Sequence, residues 1–158
     1  MKEIPLSRGK VALVDDEDYE SLARWKWSAW EHRNGDFYAV RTIQHGGRQS
    51  TIRMHRLVCM PGTGQVVDHI NHDTLDNRRM NLRACTAKEN LRNRRVNPRH
   101  SSRYKGVRRR KDTGRWSAQI TCNKRAIALG CFASEREARE AYDVAALRLF
   151  GEFARLNP

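Results

Sequence analysis

The sequence predicts an α+β protein made of small modules, and three features of the chain lead to this prediction. Hydrophobic residues make up 39% and charged residues 31% of the 158 residues, a balance typical of a folded chain. Short alternating segments bounded by turn residues predict antiparallel strands. Residues 96–102 contain a proline and turn residues without apolar periodicity, which indicates a linker between two modules.

Positive charge is concentrated in the middle of the chain. The net charge is +13, yet residues 1–52 carry eight Lys/Arg and eight Asp/Glu, whereas residues 78–125 carry seventeen Lys/Arg against Glu89 and Asp112. A block this basic attracts polyanions. Because aromatic and β-branched residues run through it, it predicts a folded nucleic-acid-binding surface rather than a basic tail. A solvated basic face is the alternative interpretation.

Membrane and metal-thiolate functions are not expected. No apolar run is long enough to span a bilayer, and residues 1–5 lack the apolar stretch of a signal peptide. The four cysteines form no C-x-x-C pair, so we expect small core residues rather than a disulfide scaffold, and we do not expect zinc.

Residues 1–52 predict a small mixed α/β element. A short strand at 11–14 is followed by acids at the start of a helix that runs to Trp25, where the helix dipole favours negative charge. Residues 37–41 and 50–54 flank a Gly-Gly pair and predict a hairpin. The tryptophans of this element are expected in the core.

Residues 103–158 predict three antiparallel strands followed by one helix. The strands are expected at 104–110, 115–122 and 125–132, and Ser134 with Glu137 predicts a capping box that starts the helix. Gly151 is placed to close that helix. The expected buried helix face is Ala138, Ala141, Tyr142, Ala145 and Leu149. Such a helix covers one sheet face and leaves the other face free.

The same segment resembles the plant ethylene-response-factor DNA-binding domain. The resemblance spans residues 102–157 and rests on YKGVR at 104–108, RWSAQI at 115–120, LGCF at 129–132 and GEFARLN at 151–157. It implies that the free sheet face lies in the DNA major groove. By position, the groove-facing residues would be Lys105, Arg108, Arg110, Gln119 and Thr121.

Two departures from the plant pattern change the expected specificity. Thr121 stands where plant members usually carry arginine, and Ala128 where they usually carry tryptophan, so the plant recognition sequence is not expected. The remaining basic residues are expected to bind phosphates, which position a protein without specifying sequence. These are Arg103, Arg109, Lys111, Arg115, Lys124 and Arg125.

A second constellation predicts phosphodiester hydrolysis, which needs a base for water and a cation for developing charge. Asp68 is a hard oxygen ligand suited to Mg²⁺, and neutral His69 can take a proton from water. Thr86 and Glu89 predict a helix whose first turn carries Asn90, an amide ligand for the same cation. Together these residues predict a strand–strand–helix site with one metal ion.

The segment resembles the HNH endonucleases, especially the homing endonucleases of phages and introns. The resemblance rests on MHRLV at 54–58, VVDHIN at 66–71, DNRR at 76–79, NLR at 81–83 and KEN at 88–90. It implies a ββα-metal (His-Me finger) module at residues 53–95.

The resemblance also implies a role for each site residue. Asp68 and Asn90 would be metal ligands, His69 the general base and Asn81 the residue that holds the loop, while Arg56, on a strand with His55, would bind a phosphate. The third motif residue is Asn90 rather than histidine, and His72 replaces a common glycine. Further phosphate contacts are expected from Arg78, Arg79, Arg83, Arg92, Arg94 and Arg95.

The sequence therefore predicts a Mg²⁺- or Mn²⁺-dependent endonuclease that nicks or cuts double-stranded DNA and leaves 5′-phosphate and 3′-hydroxyl ends. The expected modules are 1–52, 53–95, the linker 96–102, and 103–158. The expected compartment is the cytoplasm, that of the host cell if a phage encodes the protein. The alternatives are a non-catalytic transcriptional regulator and an RNA-binding protein. A sheet matched to the major groove argues against RNA, because A-form RNA hides that groove.

Overall fold

Helices and antiparallel strands follow one another along the chain, which agrees with the predicted α+β class. The computed structural model describes residues 1–33, 35–93 and 101–158, and it divides into two units, Met1–Ala87 and Lys88–Pro158. Most of the predicted linker at 96–102 lies outside the described residues. Among the helices of these described ranges, none has the length and apolar character needed to cross a membrane.

The first unit contains three small sheets, ordered β1-β2, β3-β4-β5 and β6-β7. Its strands and helices are β1 (Lys2–Pro5), β2 (Val11–Val14), α1 (Asp16–Ala23), β3 (Ser28–Glu31), β4 (Phe37–His45), β5 (Arg48–Arg53), α2 (Met54–Cys59), β6 (Val66–His69) and β7 (Leu82–Cys85). The predicted strand at 11–14 and the predicted hairpin are confirmed, and the hairpin strands are longer than expected.

One hydrophobic core joins the N-terminal element to the segment that carries the predicted nuclease site. Val14 and Trp27 come from before residue 52, and Met54, Val58 and Leu82 come from after it. All five are at most 8% exposed. The N-terminal element and the segment with the predicted nuclease site are therefore stabilised by the same core, although the sequence predicts a boundary between them after residue 52.

His55 and Arg56 lie in a helix, not on the strand that the sequence predicts. Met54 and Val58 stand one helical turn apart and are 0% and 4% exposed, so helical spacing brings both into the core. Met60 then ends α2 in the left-handed conformation, at a φ of 46°. The strand prediction for these residues is wrong because burial of one helical face outweighs local strand propensity.

The expectation of a fully buried set of tryptophans and cysteines is also wrong. Trp27 is 2% exposed, but Trp25 and Trp30 are 47% and 43% exposed. The guanidinium of Arg41 stacks 4.0 Å from the ring centre of Trp25, which explains how this ring is stabilised at the surface. Among the cysteines, Cys85 is buried and Cys131 is exposed.

The second unit is a three-stranded antiparallel sheet with one long helix. The elements from the unit boundary onward are α3 (Ala87–Arg92), β8 (Val107–Arg109), β9 (Trp116–Cys122), β10 (Arg125–Phe132) and α4 (Glu135–Phe150), and the sheet order is β10-β9-β8. The predicted capping box of Ser134 and Glu137 is present, and Gly151 closes α4 at a φ of 54°. β8 is shorter than the predicted strand at 104–110.

The buried face of α4 follows a regular spacing of four residues. Ala138, Tyr142, Ala146 and Phe150 are buried at 0 to 8% exposure. Leu149, which was expected on this face, is 38% exposed. The difference arises because the face continues from Tyr142 in steps of four, and that row reaches Phe150 rather than Leu149.

Gly106, just before β8, lies in direct contact with the ring of Tyr142. Its φ is +74°, and a Cβ built there would come within 2.1 Å of Tyr142 Cδ2 and 2.5 Å of the Gln119 carbonyl oxygen. The Gly106 carbonyl also accepts a hydrogen bond of 2.8 Å from the Gln119 amide. Only glycine fits both this backbone conformation and this close approach.

We predict that Gly106→Ala destabilises the protein by about 2–5 kcal/mol, because the added methyl overlaps Tyr142 and the left-handed backbone is strained. Gly114→Ala is the matched control, since Gly114 has a φ of +68° but no atom within 4 Å of the added Cβ. The control should cost only about 1–2 kcal/mol. Urea unfolding of both variants measures the difference, and equal losses would show that the Tyr142 contact is unimportant.

Candidate active site and nucleic-acid surface

Asp68 and His69 are the last two residues of β6 and are both buried. Their exposures are 5% and 6%. Asp68 stands opposite Arg83, and His69 stands opposite Leu82, in the β6-β7 pair. The strand pair therefore places a carboxylate and an imidazole next to each other at the point where the chain leaves the sheet.

The carboxylate of Asp68 is bound by Arg83. Arg83 donates hydrogen bonds of 2.9 Å from Nε and 2.7 Å from Nη2 to Asp68 Oδ2. Arg83 was expected to contact a DNA phosphate, and the structure instead gives it an intramolecular carboxylate partner. The interaction shows that the surroundings of Asp68 accommodate a cationic group.

Arg78 and Arg79 were also expected at phosphates, but both bind carboxylates of the first unit. Arg78 forms an ion pair with Asp76, at 2.7 Å. Arg79 donates to both oxygens of Asp18, at 2.8 and 2.6 Å. Asp18 and Arg79 are 61 residues apart in sequence, and Asp76 and Arg78 are two residues apart. Composition alone reveals neither pair. Arg94 and Arg95 lie outside the described residues.

Asn81 holds the two ends of the loop between β6 and β7 together. Its Oδ1 accepts a hydrogen bond of 2.9 Å from the Asn71 amide, and its Nδ2 donates one of 2.8 Å to the Asp76 carbonyl. The backbone carbonyl of Asn81 accepts a further bond of 2.9 Å from the Ile70 amide. Asn81 is 5% exposed, so these bonds form in a largely dry environment. His72 enters this loop at a φ of 65°, the conformation that favours glycine.

Burial keeps His69 in its neutral form. Burial lowers the pKa of His69 below its usual 6.5, while the Asn77 side chain and the nearby Asp68 and Asp73 carboxylates act in the opposite direction. At neutral pH the imidazole is therefore unprotonated. An unprotonated imidazole is the form that can accept a proton from water.

Three rings meet edge to face around His69. The His55 ring centre lies 5.1 Å from that of His69, and the Tyr38 ring centre lies 6.1 Å from His69 and 5.5 Å from His55. Burial lowers the pKa of His55 to about 3, with a smaller contribution from His69. The sequence analysis missed Tyr38, because nothing local to residue 38 indicates that β4 passes beside β6.

Two further predicted site residues lie on short helices. Arg56 is exposed on α2 and donates a hydrogen bond of 3.4 Å to the Gln65 carbonyl. Asn90 is half-buried on α3, within the second unit, so its use as a ligand stays a prediction. Among residues 1–33, 35–93 and 101–158, no three His, Cys, Asp or Glu side chains converge on a common metal position.

The sheet of the second unit leaves one face uncovered. Arg108, Gln119 and Thr121 are exposed on it, and Ala128 and Ala126 stand beside Gln119 and Thr121 on β10. Arg108 donates a hydrogen bond of 3.2 Å from Nε to the Ser117 hydroxyl. The two alanines leave this part of the face shallow.

The other predicted DNA contacts surround this face, and several have partners within the unit. Arg110 binds Asp112 and lowers the pKa of that carboxyl to about 2. Lys105 donates from Nζ to the Arg92 carbonyl. Lys124 and Arg125 are exposed at the β9–β10 turn. Of the remaining four, Lys111 is exposed. The other three lie against neutral groups: Arg103 stacks on Tyr104, Arg109 donates to the Gly114 carbonyl and Arg115 donates to the Cys131 carbonyl.

Comparison with known protein families supports two modules in this order. Residues 53–92 match the family model of the HNH endonuclease, and residues 102–152 match that of the AP2 domain. No curated protein matches the chain. The predicted order, an HNH endonuclease segment followed by a DNA-binding-domain segment of the AP2 type, is confirmed.

We predict that acid destabilises the first unit through His55. Its pKa is about 3 in the folded state against 6.5 for an exposed histidine, so the folded state excludes a proton that the unfolded state binds. The stabilising contribution is complete above pH 6.5 and is lost as pH falls, by up to ~1.4 kcal/mol per pH unit.

Urea unfolding at pH 7, 6 and 5 measures this dependence. His55→Phe should show a shallower decline than the wild type, because the variant retains a ring but has no proton to bind. His45→Phe, at an exposed position, is the control and should decline like the wild type. Parallel declines for wild type and His55→Phe would contradict the prediction.

Proposed function

We propose that this chain, in which an HNH endonuclease segment precedes an AP2 segment, is a homing-type DNA endonuclease that cuts or nicks double-stranded DNA in the cytoplasm. One observation carries the proposal. A buried imidazole with a lowered pKa, His69, stands next to a buried carboxylate, Asp68, at the end of β6. A regulator that only binds DNA has no need of such a pair.

His69 acts as the general base. Its neutral imidazole takes a proton from a water molecule, and the resulting hydroxide attacks the phosphorus of the scissile phosphodiester. The bond from phosphorus to the 3′ oxygen breaks, so the products are a 5′-phosphate and a 3′-hydroxyl. The proton that the leaving oxygen needs comes from solvent.

Tyr38 and His55 orient this base. Their ring centres lie 6.1 and 5.1 Å from that of His69, and the two rings also contact each other. The contacts restrict rotation of the imidazole and keep it at the end of β6. Because His55 is neutral, it adds no charge that would oppose protonation of His69 during the reaction.

One divalent cation, Mg²⁺ or Mn²⁺, supplies charge neutralisation at the leaving oxygen when it is bound. Asp68 would hold it, and Asn90 would be a second ligand by resemblance. Both offer the hard oxygen donors that these ions prefer. The position of Arg83 on Asp68 supports the assignment, because a cation is already favoured there. In chain order, two strands and a helix follow one another here, β6, β7 and α3, which is the order of elements that a ββα-metal module would need.

The second unit targets the duplex. Its uncovered face presents Arg108, Gln119 and Thr121 toward base edges, and the exposed Lys124 and Arg125 contact phosphates. We also propose phosphate contacts for Arg56 and base contacts for Arg110. Binding and cutting are thereby assigned to different surfaces of one chain.

We predict that His69→Ala abolishes cleavage and leaves DNA affinity nearly unchanged, because the variant loses the base but no phosphate contact. Supercoiled plasmid with Mg²⁺ should become nicked or linear with wild type, and should stay supercoiled with the variant or with EDTA. Removal of a general base typically slows such a step about 10²–10⁴-fold.

His45→Ala is the control, since this histidine is exposed and should cut like the wild type. Cleavage by His69→Ala at the wild-type rate would rule out the assigned base. Plasmid binding without cleavage by the wild type, at any Mg²⁺ or Mn²⁺ concentration, would favour the regulator instead.

We further predict that Arg108→Ala and Lys124→Ala weaken DNA binding differently. Arg108→Ala should relax sequence preference at one position by about 1–3 kcal/mol, because it removes a base contact. Lys124→Ala should weaken specific and scrambled duplexes equally and reduce the slope of log affinity against log salt by about one. Mobility shifts over a salt series measure both, and identical behaviour of the two variants would mean that the sheet binds only phosphates.

A further inference from the structure

Helix α3 belongs to the nuclease segment by sequence and to the second unit by structure. The match to the HNH endonuclease family runs through residue 92, so it includes the whole helix, Ala87–Arg92. The second unit nevertheless begins at Lys88, so all but the first residue of α3 lies in the same unit as the AP2 segment. Neither family match assigns a residue that holds this helix in place.

α3 is too short and too exposed to be stable by itself. It has six residues, whereas an isolated helix shorter than about 12–15 residues is marginal in water. None of the six is buried, and Leu91 is exposed. Most helices in proteins are stabilised by packing of an apolar face. Because Ala87–Arg92 buries no such face, contacts of another kind must hold this helix.

The last residue of α3 lies against the long helix of the second unit. The guanidinium of Arg92 is 4.7 Å from the ring centre of Phe150. Phe150 is the last residue of α4 and is buried with Ile120 and Tyr142 in the core of this unit. A guanidinium over an aromatic ring is attracted by the negative face of the π-system. Phe150 therefore ties the end of α3 to the core beneath α4.

Lys105 binds the same end of α3 from the segment before β8. Its ammonium donates a hydrogen bond to the backbone carbonyl of Arg92. The carbonyls of a last helical turn have no partner within the helix and carry the negative end of its dipole, so a lysine is a favourable partner there. Lys105 is fixed in turn, because its amide donates a bond of 2.6 Å to Asn157 Oδ1 and Asn157 Nδ2 donates one of 2.9 Å to Asp143.

Asn90 depends on these contacts because it lies two residues before Arg92. It is half-buried on α3 and is the proposed amide ligand of the metal ion. A metal ligand must be held in a fixed orientation, and loss of the residues that orient it typically lowers metal affinity about 10–100-fold. The contacts at Arg92 act on Asn90 through less than one turn of helix.

We propose that the AP2 segment is a structural part of the nuclease, because its residues Phe150 and Lys105 hold α3 and thereby position Asn90 for the metal. Both are positioning residues, since they act through Arg92. The inference rests on the proposed function, in which Asn90 is a metal ligand. It gives the second unit a role that does not require DNA, in addition to its role in targeting the duplex.

The test uses the full chain without DNA, so that altered DNA contacts cannot affect the result. Phe150→Leu keeps an apolar side chain and removes the ring beneath Arg92. Exchange of the Leu91 and Arg92 amides, which can bond back to the first turn of α3, should become about three to ten times faster. The affinity for Mn²⁺, measured by isothermal titration, should fall about tenfold.

Phe132→Leu is the matched control. It makes the same change in the same unit, but Phe132 packs in a different cluster, with Val107 and Ala118. It should leave the exchange of the α3 amides and the Mn²⁺ affinity at wild-type values. Lys105→Met, at a half-buried position, tests the second contact and does not require a change in the core. Lys105→Arg keeps the charge and should restore both measurements.

Wild-type exchange and wild-type Mn²⁺ affinity in both Phe150→Leu and Lys105→Met would overturn the inference. Faster exchange with unchanged Mn²⁺ affinity would overturn it as well, because α3 would then be anchored without positioning a ligand. Equal losses in Phe132→Leu would have the same meaning, since they would reflect general destabilisation of the unit.

Failure of the proposed function gives a different result. Wild type would then bind no Mn²⁺ and never cleave plasmid, and the inference would fall with the function. A wild type that binds Mn²⁺ and cleaves plasmid, combined with wild-type values in Phe150→Leu and Lys105→Met, contradicts the anchoring of α3 alone.

Discussion

The buried amide of Asn81 is the constraint on which the candidate active site depends. The chain must leave β6 at His69, turn, and return to β7 while its buried backbone groups remain hydrogen-bonded. Asn81 meets this need by bonding to Asn71 at one end of the loop and to Asp76 at the other. Leu13 of β2 adds backbone hydrogen bonds of 2.9 and 2.8 Å to the same loop. The N-terminal strands are therefore part of the support of the site.

Features encoded in a few neighbouring residues could be predicted from the sequence. The capping box of Ser134 and Glu137 and the hairpin around the Gly-Gly pair are local patterns, and both are present in the structure. The proximity of Tyr38 to His69 depends on how two sheets pack, and no local pattern contains that information. The same holds for the ion pair of Asp18 with Arg79, whose partners are 61 residues apart.

Composition overstates the positive charge that the first unit offers to DNA. Arg78, Arg79 and Arg83 each bind a carboxylate of the same unit, so their charges are largely neutralised before any ligand arrives. Counting residues finds the basic block but not these partners. The prediction of a strand at His55 is wrong for a similar reason. The segment is a helix because Met54 and Val58 are buried against residues that are distant in sequence.

The division of the β8–β10 unit into a packed side and an open side has a consequence for how such proteins diversify. A Cβ built at Gly106 would come within 2.1 Å of the Tyr142 ring, so any larger residue at this position must displace its neighbours. Ala126 and Ala128 stand exposed on the opposite side. Because both positions are exposed, we expect larger side chains introduced there to leave the fold intact. Substitutions at these two exposed positions can therefore change what the sheet face contacts while the packed side of the unit stays as it is.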